Sequence, residues 1–304
     1  MAEMEILMAR PINYLFCNYE FEIDDEILDE TAEFNLISEN QGGEFCHGRE
    51  KNGFQPQILC TDPVRRDLDE ETAHSFEIGY KPGIRTLQEY DSTSRKKISR
   101  IEQDNHTKFG HVVTIPSLRA MAIRDSSSED TIGAHQTIGR LKSLVRGFSG
   151  GNGQINLTYA NEEDVAHALQ TWDINEYSYT ARPLNPTGGA LAKLRTEMYR
   201  VENVYQENGK VKAAPGESLR VANGTLGQTQ ELYEGGFAQV GFKGETEDGH
   251  FASIPQLNFY QDKVKNLRVR EARSRYIRVS FDRDDEADDK TLDVAQALLR
   301  FYTR

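Results

Sequence analysis

The sequence predicts an α+β fold with mixed sheets and packed helices, arranged as two closely associated lobes. Apolar and polar residues alternate in several segments, such as "NYLFCNYEFEI" at 13–23, which is typical of half-buried strands. In others, such as "KTLDVAQALLRFYTR" at 290–304, apolar residues recur every three or four positions, which indicates amphipathic helices. Between 111 and 200 the two patterns follow one another, and this order predicts a mixed sheet covered by helices.

The N-terminal region begins with a strand and continues into an acidic run. The residues that the strand places on one face are Leu15, Cys17, Tyr19, Phe21 and Ile23. From Glu20 to Glu33 there are eight acids in fourteen residues. We interpret this run as a solvated helix face, and the alternative is a partner surface for a basic strip in this chain or another.

Residues 34–110 carry weaker patterns. "PQILC" and "HSFEIGY" predict short strands separated by proline and glycine. "STSRKKISR" at 92–100 is polar and basic, and it predicts an exposed loop or a short helix.

The pattern becomes clear after His111. "HVVTIPSLRAMAIRD" predicts a strand or a strand pair interrupted by Pro116. "SSSEDTIGAHQTIGRLKSLVRGF" predicts a helix whose first turn is capped by serines and acids. The apolar residues of this helix fall on one stripe, formed by Ile138, Leu141, Val145 and Phe148. The glycines of "GGNG" end the helix.

The remaining elements alternate in type. "QINLTY" predicts a strand, "NEEDVAHALQTW" a helix capped by Asn161, "NEYSYTARPL" a strand and "ALAKLRTEMYRVENV" a helix. "GFAQVGFKGETEDGHFASIP" predicts a hairpin and "YIRVSF" a strand. The terminal helix has an apolar side formed by Leu292, Ala295, Leu299 and Tyr302. The loop "LNPTGG" predicts a boundary between lobes at 1–185 and 186–304.

Composition limits the classes of function. The chain has 304 residues, a formal net charge of −13 and a pI near 5.1, so it can bury a core but repels polyanions at long range. Its three cysteines lack CxxC spacing, which predicts reduced thiols. The start of the chain does not resemble a signal peptide, and no segment approaches the roughly 20 apolar residues of a membrane span. We therefore expect a cytoplasmic protein without a membrane partner.

Catalytic and metal motifs are weak. The glycines of "GFSGGNG" follow a helix, whereas a phosphate-binding loop precedes one. The seven histidines form no HxH or HxxxH pair, and Cys46 and His47 are adjacent, so we expect no metal and no cofactor. The nearest nuclease-like candidates are Asp62 and Glu77 with Lys81, and "HGREK" is a second set that contains His47, Glu50 and Lys51. Either set leaves a cryptic metal-dependent nuclease as an alternative.

A basic strip is the strongest functional signal. From Lys263 to Arg278 there are seven basic residues and one acid. The basic residues of the strip are Lys263, Lys265, Arg268, Arg270, Arg273, Arg275 and Arg278. Further positive charge is predicted on the central helix, at Arg140, Lys142 and Arg146. Alternating strand positions project on one face, so such rows can follow phosphates. The alternative is a solvated strand whose charges pair with the acids at 282–289.

The segment from His111 to about Arg200 resembles the phage-exclusion protein RexA and related antiphage-associated proteins. The resemblance lies in the order of a strand, a helix, "QINLTY", "NEEDVAHAL", "NEYSYTARPLNP" and a further helix. It implies a non-enzymatic protein, often dimeric, that binds duplex DNA with little sequence preference and acts in defence against phage. It assigns no binding residue.

The sequence thus predicts a non-enzymatic nucleic-acid-binding protein, with duplex DNA as the expected ligand, in an antiphage or related genetic-conflict system. A homodimer or another protein partner is possible. In the first alternative the chain is an adaptor or structural subunit whose acidic and basic regions pair without nucleic acid. In the second it is the cryptic nuclease.

Overall fold

The computed structural model describes residues 11–50, 53–68, 71–91, 95–104, 106–125, 130–183, 189–256, 276–282 and 287–303. The strands are β1 (Ile12–Ile23), β2 (Glu26–Ile27), β3 (Phe45–Cys46), β4 (Gln57–Leu68), β5 (Glu71–Lys81), β6 (Gly83–Asp91), β7 (Lys96–Asp104), β8 (Lys108–Ile115), β9 (Ala120–Arg124), β10 (Gly153–Thr158), β11 (Asp173–Ala181), β12 (Glu207–Lys212), β13 (Ala238–Glu245), β14 (Phe251–Ile254) and β15 (Ile277–Phe281). The helices are α1 (Glu30–Glu39), α2 (Ala134–Phe148), α3 (Glu162–Thr171), α4 (Ala190–Val201), α5 (Gly224–Glu234) and α6 (Ala287–Tyr302). The predicted α+β class is confirmed.

The chain divides into two compact units. The first ends at Thr158 and resumes at Asp282, and the second runs from Tyr159 to Phe281. The division therefore falls at 158/159 and 281/282 rather than at the predicted 185/186. The reason is strand pairing: β11 precedes the predicted boundary, yet both of its edges pair with strands that follow it, β12 and β13.

The first unit contains a sheet with the strand order β3-β4-β5-β8-β9-β1, and β2 and β10 also pair with β1. Helices cover both faces. Glu33 of α1 contacts Tyr19 on one face, and Phe301 of α6 packs edge to face on Phe16 on the other. All described ladders within this unit are antiparallel. Parallel pairing occurs at two isolated bridges, Gln41 with Cys60 and Phe109 with Thr131.

The second unit contains a five-stranded antiparallel sheet with the order β12-β11-β13-β14-β15. Helices α4 and α5 cover the face that carries Tyr177 and Tyr179. Arg195 of α4 donates to the Tyr179 hydroxyl at 3.2 Å, and Thr229 of α5 donates to the Tyr177 hydroxyl at 3.4 Å. The opposite face of β11 carries Glu176, Ser178 and Thr180.

Local signals predicted several elements correctly. The strand pair around Pro116 is β8 and β9, joined by a short 3-10 turn. Asn161 caps α3: its side chain accepts from the Asp164 N–H at 2.8 Å, and the Asp164 carboxylate accepts from the Asn161 N–H at 2.8 Å. This reciprocal pair satisfies two backbone donors of the first turn. The predicted hairpin is β13 and β14.

Two helix predictions need correction. Helix α2 begins at Ala134 with Gly133 as its N-cap, rather than within the predicted serine-rich start, part of which lies outside the described residues. The buried side of α6 is formed by Val294, Ala295, Leu298 and Phe301. Leu292, which we predicted on the apolar side, is 36% exposed. None of the helices that the structure describes has the length and apolar content of a membrane span.

The "STSRKKISR" segment is also different from its prediction. Its described part enters β7, which pairs with β6 along nine residue pairs in a separate two-stranded sheet. The segment has no apolar alternation, because both faces of this hairpin are largely exposed. The spacing of apolar residues therefore could not predict that this segment forms a strand.

One acid of the N-terminal acidic run is buried. Glu33 is 3% exposed, and the Tyr19 hydroxyl donates to its carboxyl oxygens at 2.8 and 2.7 Å. The Thr114 hydroxyl donates to the same group at 3.2 Å. Burial raises the pKa of Glu33 from 4.5 to about 8, against the opposing effect of these hydrogen bonds. The solvated-face interpretation thus fails at this position.

The raised pKa predicts a pH-dependent free energy of unfolding. A carboxyl with a folded pKa of about 8 holds a proton that the unfolded chain releases near 4.5, so stability falls as pH rises from about 4.5 to 8. Each pKa unit is worth about 1.4 kcal/mol, so the fall is expected to be a few kcal/mol. Glu33→Gln should flatten this slope in urea unfolding at pH 5 to 9. Glu39→Gln, at an exposed position of the same helix, should not, and equal slopes in all three proteins would contradict the assignment.

Candidate nucleic-acid interface

Antiparallel register in the second unit places five residues in one row across the sheet. Lys212 of β12 pairs with Glu176 of β11, and Glu176 pairs with Lys243 of β13. Lys243 pairs with Ser253 of β14, which pairs with Arg278 of β15. Directly paired residues project on the same face. The row therefore runs over the face opposite α4 and α5.

Three lysines surround the one carboxylate of this row. Glu176 lies 2.9 Å from the Nζ of Lys210, 3.0 Å from that of Lys243 and 3.6 Å from that of Lys212. Hydrogen bonds from Lys210 and Lys243 lower the pKa of Glu176 to about 2. The lysine side chains are 55%, 47% and 70% exposed for Lys210, Lys243 and Lys212, whereas that of Glu176 is 15% exposed. The ammonium groups thus face solvent around a carboxylate that stays charged.

Together with the arginine at the end of the row, these residues form a surface that we call the basic face. Its members are Glu176, Lys210, Lys212, Lys243 and Arg278. They sum to four positive charges and one negative charge. The guanidinium of Arg278 lies 5.5 Å from the ring centroid of Tyr276. Phe251 is 42% exposed. It lies two residues before Ser253 on β14, so its side chain projects on the same side of the sheet.

Uncharged hydrogen-bonding groups continue this surface along β11. Ser178 donates to the Gly241 carbonyl at 3.1 Å. Thr180 donates to the Asn208 side chain at 2.6 Å and accepts from the Gln256 amide at 2.6 Å. The charged end of the face is therefore followed by a polar area without acids among Ser178, Thr180, Asn208 and Gln256.

The other end of the sheet is acidic. An open groove there is lined by Asp173, Glu217 and Glu245, together with the loop at 213–218. Glu245 follows Lys243 by two residues and pairs with Asp173. A polyanion on the basic face is consequently favoured on the Ser178 side and repelled on the Glu245 side.

Most of the predicted basic strip cannot be placed. Lys263, Lys265, Arg268, Arg270, Arg273 and Arg275 lie outside the described residues, and Arg278 is in β15. The chain from 257 to 275 connects β14 to β15, which are paired neighbours through Ser253 and Arg278. In the described chain, β14 therefore precedes this segment, and β15, which carries Arg278, follows it.

The basic residues predicted on α2 do not share one surface. Lys142 and Arg146 are exposed and one turn apart. Arg140 is only 9% exposed, and its guanidinium lies 3.8 Å from the ring centroid of Tyr80. Burial lowers the pKa of Arg140, while Tyr80 opposes this effect. Arg140 packs against the first-unit sheet, so its charge is turned away from Lys142 and Arg146.

Two of the nuclease-like carboxylates, Asp62 and Glu77, lie on the paired strands β4 and β5. Asp62 has a positive φ of 52° at a register shift of β4, and Glu77 lies on β5 opposite Thr61. Burial raises the pKa of Glu77 most strongly, and the negative charge of Asp62 raises it further. Glu50 is exposed in a loop. Within the described ranges, no three His, Cys, Asp or Glu residues are placed to hold a metal ion.

Sequence reasoning missed Lys210, Lys212, Lys243 and Glu176. The only local signal was the alternation in "ENGKVK" and "QVGFKGE", which puts each lysine on the polar side of its strand. Their assembly depends on β11 lying between β12 and β13, and no local pattern determines that order. The sequence matches no protein-family model and no curated protein.

Glu176→Gln should destabilise the second unit, because three neighbouring ammonium groups would lose their shared counter-charge. We expect a loss of about 0.5 to 1 kcal/mol at low salt, since the lysines are exposed and screened. The loss should shrink in 0.5 M salt, where the Debye length is roughly 4 Å. Urea unfolding at both salt concentrations measures it.

Glu245→Gln is the matched control. It removes the same charge from an exposed site on β13, where the neighbouring Asp173 is also acidic, so it should not destabilise the protein. Equal losses for the two variants would contradict the role of Glu176.

Proposed function

We propose that this chain is a non-enzymatic nucleic-acid-binding protein whose expected ligand is duplex DNA. The proposal is supported by one observation above all: Lys210, Lys212 and Lys243 project exposed from one sheet face with a single carboxylate among them. The half-buried Arg278 lies at the end of the same row. Lysine and arginine contacts to phosphate supply most of the sequence-independent affinity of such proteins. The proposal assigns no chemical step to the protein.

The dimensions of the basic face suit a polyanion. Neighbouring strands lie about 4.8 Å apart, so the row from Lys212 to Arg278 spans roughly 19 Å. Duplex DNA carries one charge per about 1.7 Å of axis, so a stretch of this length presents several phosphates to the row. Contacts of this type position a protein on DNA without reading its sequence. By themselves, these phosphate contacts give little sequence preference.

The net charge of −13 does not prevent binding at short range. At physiological ionic strength the Debye length is about 8 Å, so distant acids are screened from a bound phosphate while the lysines in contact with it are not. Repulsion at longer range still slows encounter. We therefore expect weak, strongly salt-dependent binding.

The unplaced part of the basic strip adds to this proposal by its position in the chain. In the chain it lies between β14 and β15, and it contains six further basic residues. We propose that these residues also contact phosphates.

A cytoplasmic role in antiphage defence or a related genetic conflict is the biological part of the proposal. It is supported by the resemblance of 111–200 to RexA-type proteins in the order of the elements that the sequence predicts. Plaque counts on cells with and without the protein test this part. A lysine-to-glutamine variant of the basic face should then lose any protection.

Replacing Lys210, Lys212 and Lys243 with Gln should weaken binding to unrelated 20-bp duplexes by similar factors. Because each lost phosphate contact lowers the slope of log affinity against log salt by about 0.9, the slope should flatten by up to roughly 2.7. Fluorescence anisotropy between 50 and 200 mM salt measures both quantities. The control is Lys193→Gln, which also replaces an exposed lysine by glutamine but lies on α4, away from the basic face. It should leave the slope unchanged.

Four outcomes would decide against all or part of the proposal. Wild-type protein that binds neither DNA nor RNA at tens of micromolar and low salt would end it, and a salt-sensitive dimer without such binding would favour the adaptor alternative. A variant with Gln in place of Arg268, Arg270, Arg273 and Arg275 tests the strip. If it abolishes binding while the lysine variant does not, the site lies in the strip alone. Metal-dependent cleavage that requires Asp62 or Glu77 would favour the nuclease.

A further inference from the structure

The first unit carries a β-ribbon that takes no part in the basic face. Strands β6 and β7 pair only with each other in the described ladders, from Gly83 opposite Asp104 to Asp91 opposite Lys96. Nine residues per strand at about 3.4 Å each give a ribbon roughly 30 Å long. Exposed Tyr90, at 70%, and Ile101, at 52%, show that much of its surface faces solvent.

The two faces of the β-ribbon differ in charge. One face carries both signs of charge, on Arg85, Glu89, Arg100 and Glu102. Its arginines form ion pairs with Glu102, which lies 3.2 Å from Arg85 and 3.4 Å from Arg100. Along the described residues of both strands, the other face contains no acid. Its polar side chains are Thr86, Gln88, Tyr90, Lys97, Ser99 and Gln103. We call it the acid-free face.

The tip of the β-ribbon is basic. Arg95, in the left-handed conformation with φ of 52°, leads into Lys96 and Lys97, and all three side chains are exposed. Lys97 also belongs to the acid-free face, opposite Tyr90. Among the described residues at this end of the β-ribbon there are three basic residues and one acid, Asp91, which pairs with Lys96 in the ladder.

We propose that the β-ribbon enters the major groove of duplex DNA, with the acid-free face toward the base edges and the basic tip on phosphates. This inference rests on the proposed function and names the duplex, rather than a single strand, as its ligand. The major groove is about 12 Å wide and admits a two-stranded ribbon, while the deep, narrow major groove of A-form RNA does not.

The chemistry of the acid-free face fits this location. Amide and hydroxyl groups such as those of Gln88, Ser99 and Gln103 donate to and accept from the groups that base pairs present in the major groove. Ile101 offers an apolar contact for a thymine methyl group. An acid on this face would be repelled by the phosphates on both sides of the groove, and none is present among its described residues.

Pairing with a second copy through the ribbon edge is the competing use of this element. Exposed edge strands attract such pairing, but lysines at the edge oppose it, and β7 begins with Lys96 and Lys97. The charge pattern therefore favours DNA. The two uses are separated by experiment, since self-association is detected without any nucleic acid.

The test compares three ligands of one sequence: a 20-bp DNA duplex, the corresponding RNA duplex and the single DNA strand. Wild-type protein should bind duplex DNA at least about tenfold more tightly than duplex RNA. Gln88→Ala combined with Tyr90→Ala and Gln103→Ala should weaken duplex-DNA binding about tenfold and leave single-strand binding within about twofold. Arg85→Gln with Glu102→Gln, on the charged face and neutral in net charge, is the control and should leave all three affinities unchanged.

Dimethyl sulfate protection provides a readout of the groove itself, because guanine N7 lies in the major groove. Protection should appear with the wild-type protein and with the control, and it should disappear with the acid-free-face variant. Thermal unfolding and circular dichroism confirm that each variant is folded.

The outcomes distinguish this inference from the proposed function. Loss of all binding in the lysine variant, with no change of any affinity in the acid-free-face variant, would keep the proposed function and overturn the groove assignment. A dimer that becomes monomeric in the acid-free-face variant, with unchanged DNA affinity, would assign the β-ribbon to self-association instead. Wild-type protein without any binding would overturn both.

Discussion

The shared carboxylate of Glu176 is the interaction on which the basic face depends. Three ammonium groups within 3.6 Å of one carboxylate would repel one another if that carboxylate were absent or protonated. Because its pKa is held at about 2, Glu176 remains charged throughout the physiological range. The sheet can thereby carry Lys210, Lys212 and Lys243 as close neighbours at a modest cost in repulsion. A phosphate that approaches the face meets lysines that are already gathered, and it competes with Glu176 for them.

The buried side of the same strands explains why the lysines keep their positions. Arg195 of α4 donates to Glu207 at the start of β12 and to Tyr179 of β11, and Tyr199 donates to Glu207 at 2.5 Å. Gly209 of β12 lies directly against the Tyr179 ring, where a Cβ would overlap it. β11 and β12 are thus fixed in register by a polar cluster beneath the sheet. Since register decides which residues share a row, this cluster supports the basic face without contacting it.

What the sequence could predict follows from the range of each interaction. Burial of one strand face or capping of one helix is local, and so β1, α3 and the β13–β14 hairpin were predicted correctly. Strand order is not local: Lys210 and Lys243 belong to strands separated by α5, and β11 lies between them in the sheet. The β-ribbon was missed because neither of its faces is buried enough to leave a pattern. Glu33 was missed because one position in an acidic run happens to face Tyr19 beneath α1.

An acidic protein with two local basic surfaces has a physical consequence for how it would recognise DNA. The overall charge of −13 repels a polyanion until the separation falls to about a Debye length, where contacts with individual side chains take over. Affinity then depends on how many contacts form at once, and a ligand that offers only scattered phosphates gains little. A duplex offers closely spaced phosphates to the basic face. The acidic background therefore acts as a threshold that favours ligands able to satisfy several contacts, and it discourages indiscriminate binding to weaker polyanions.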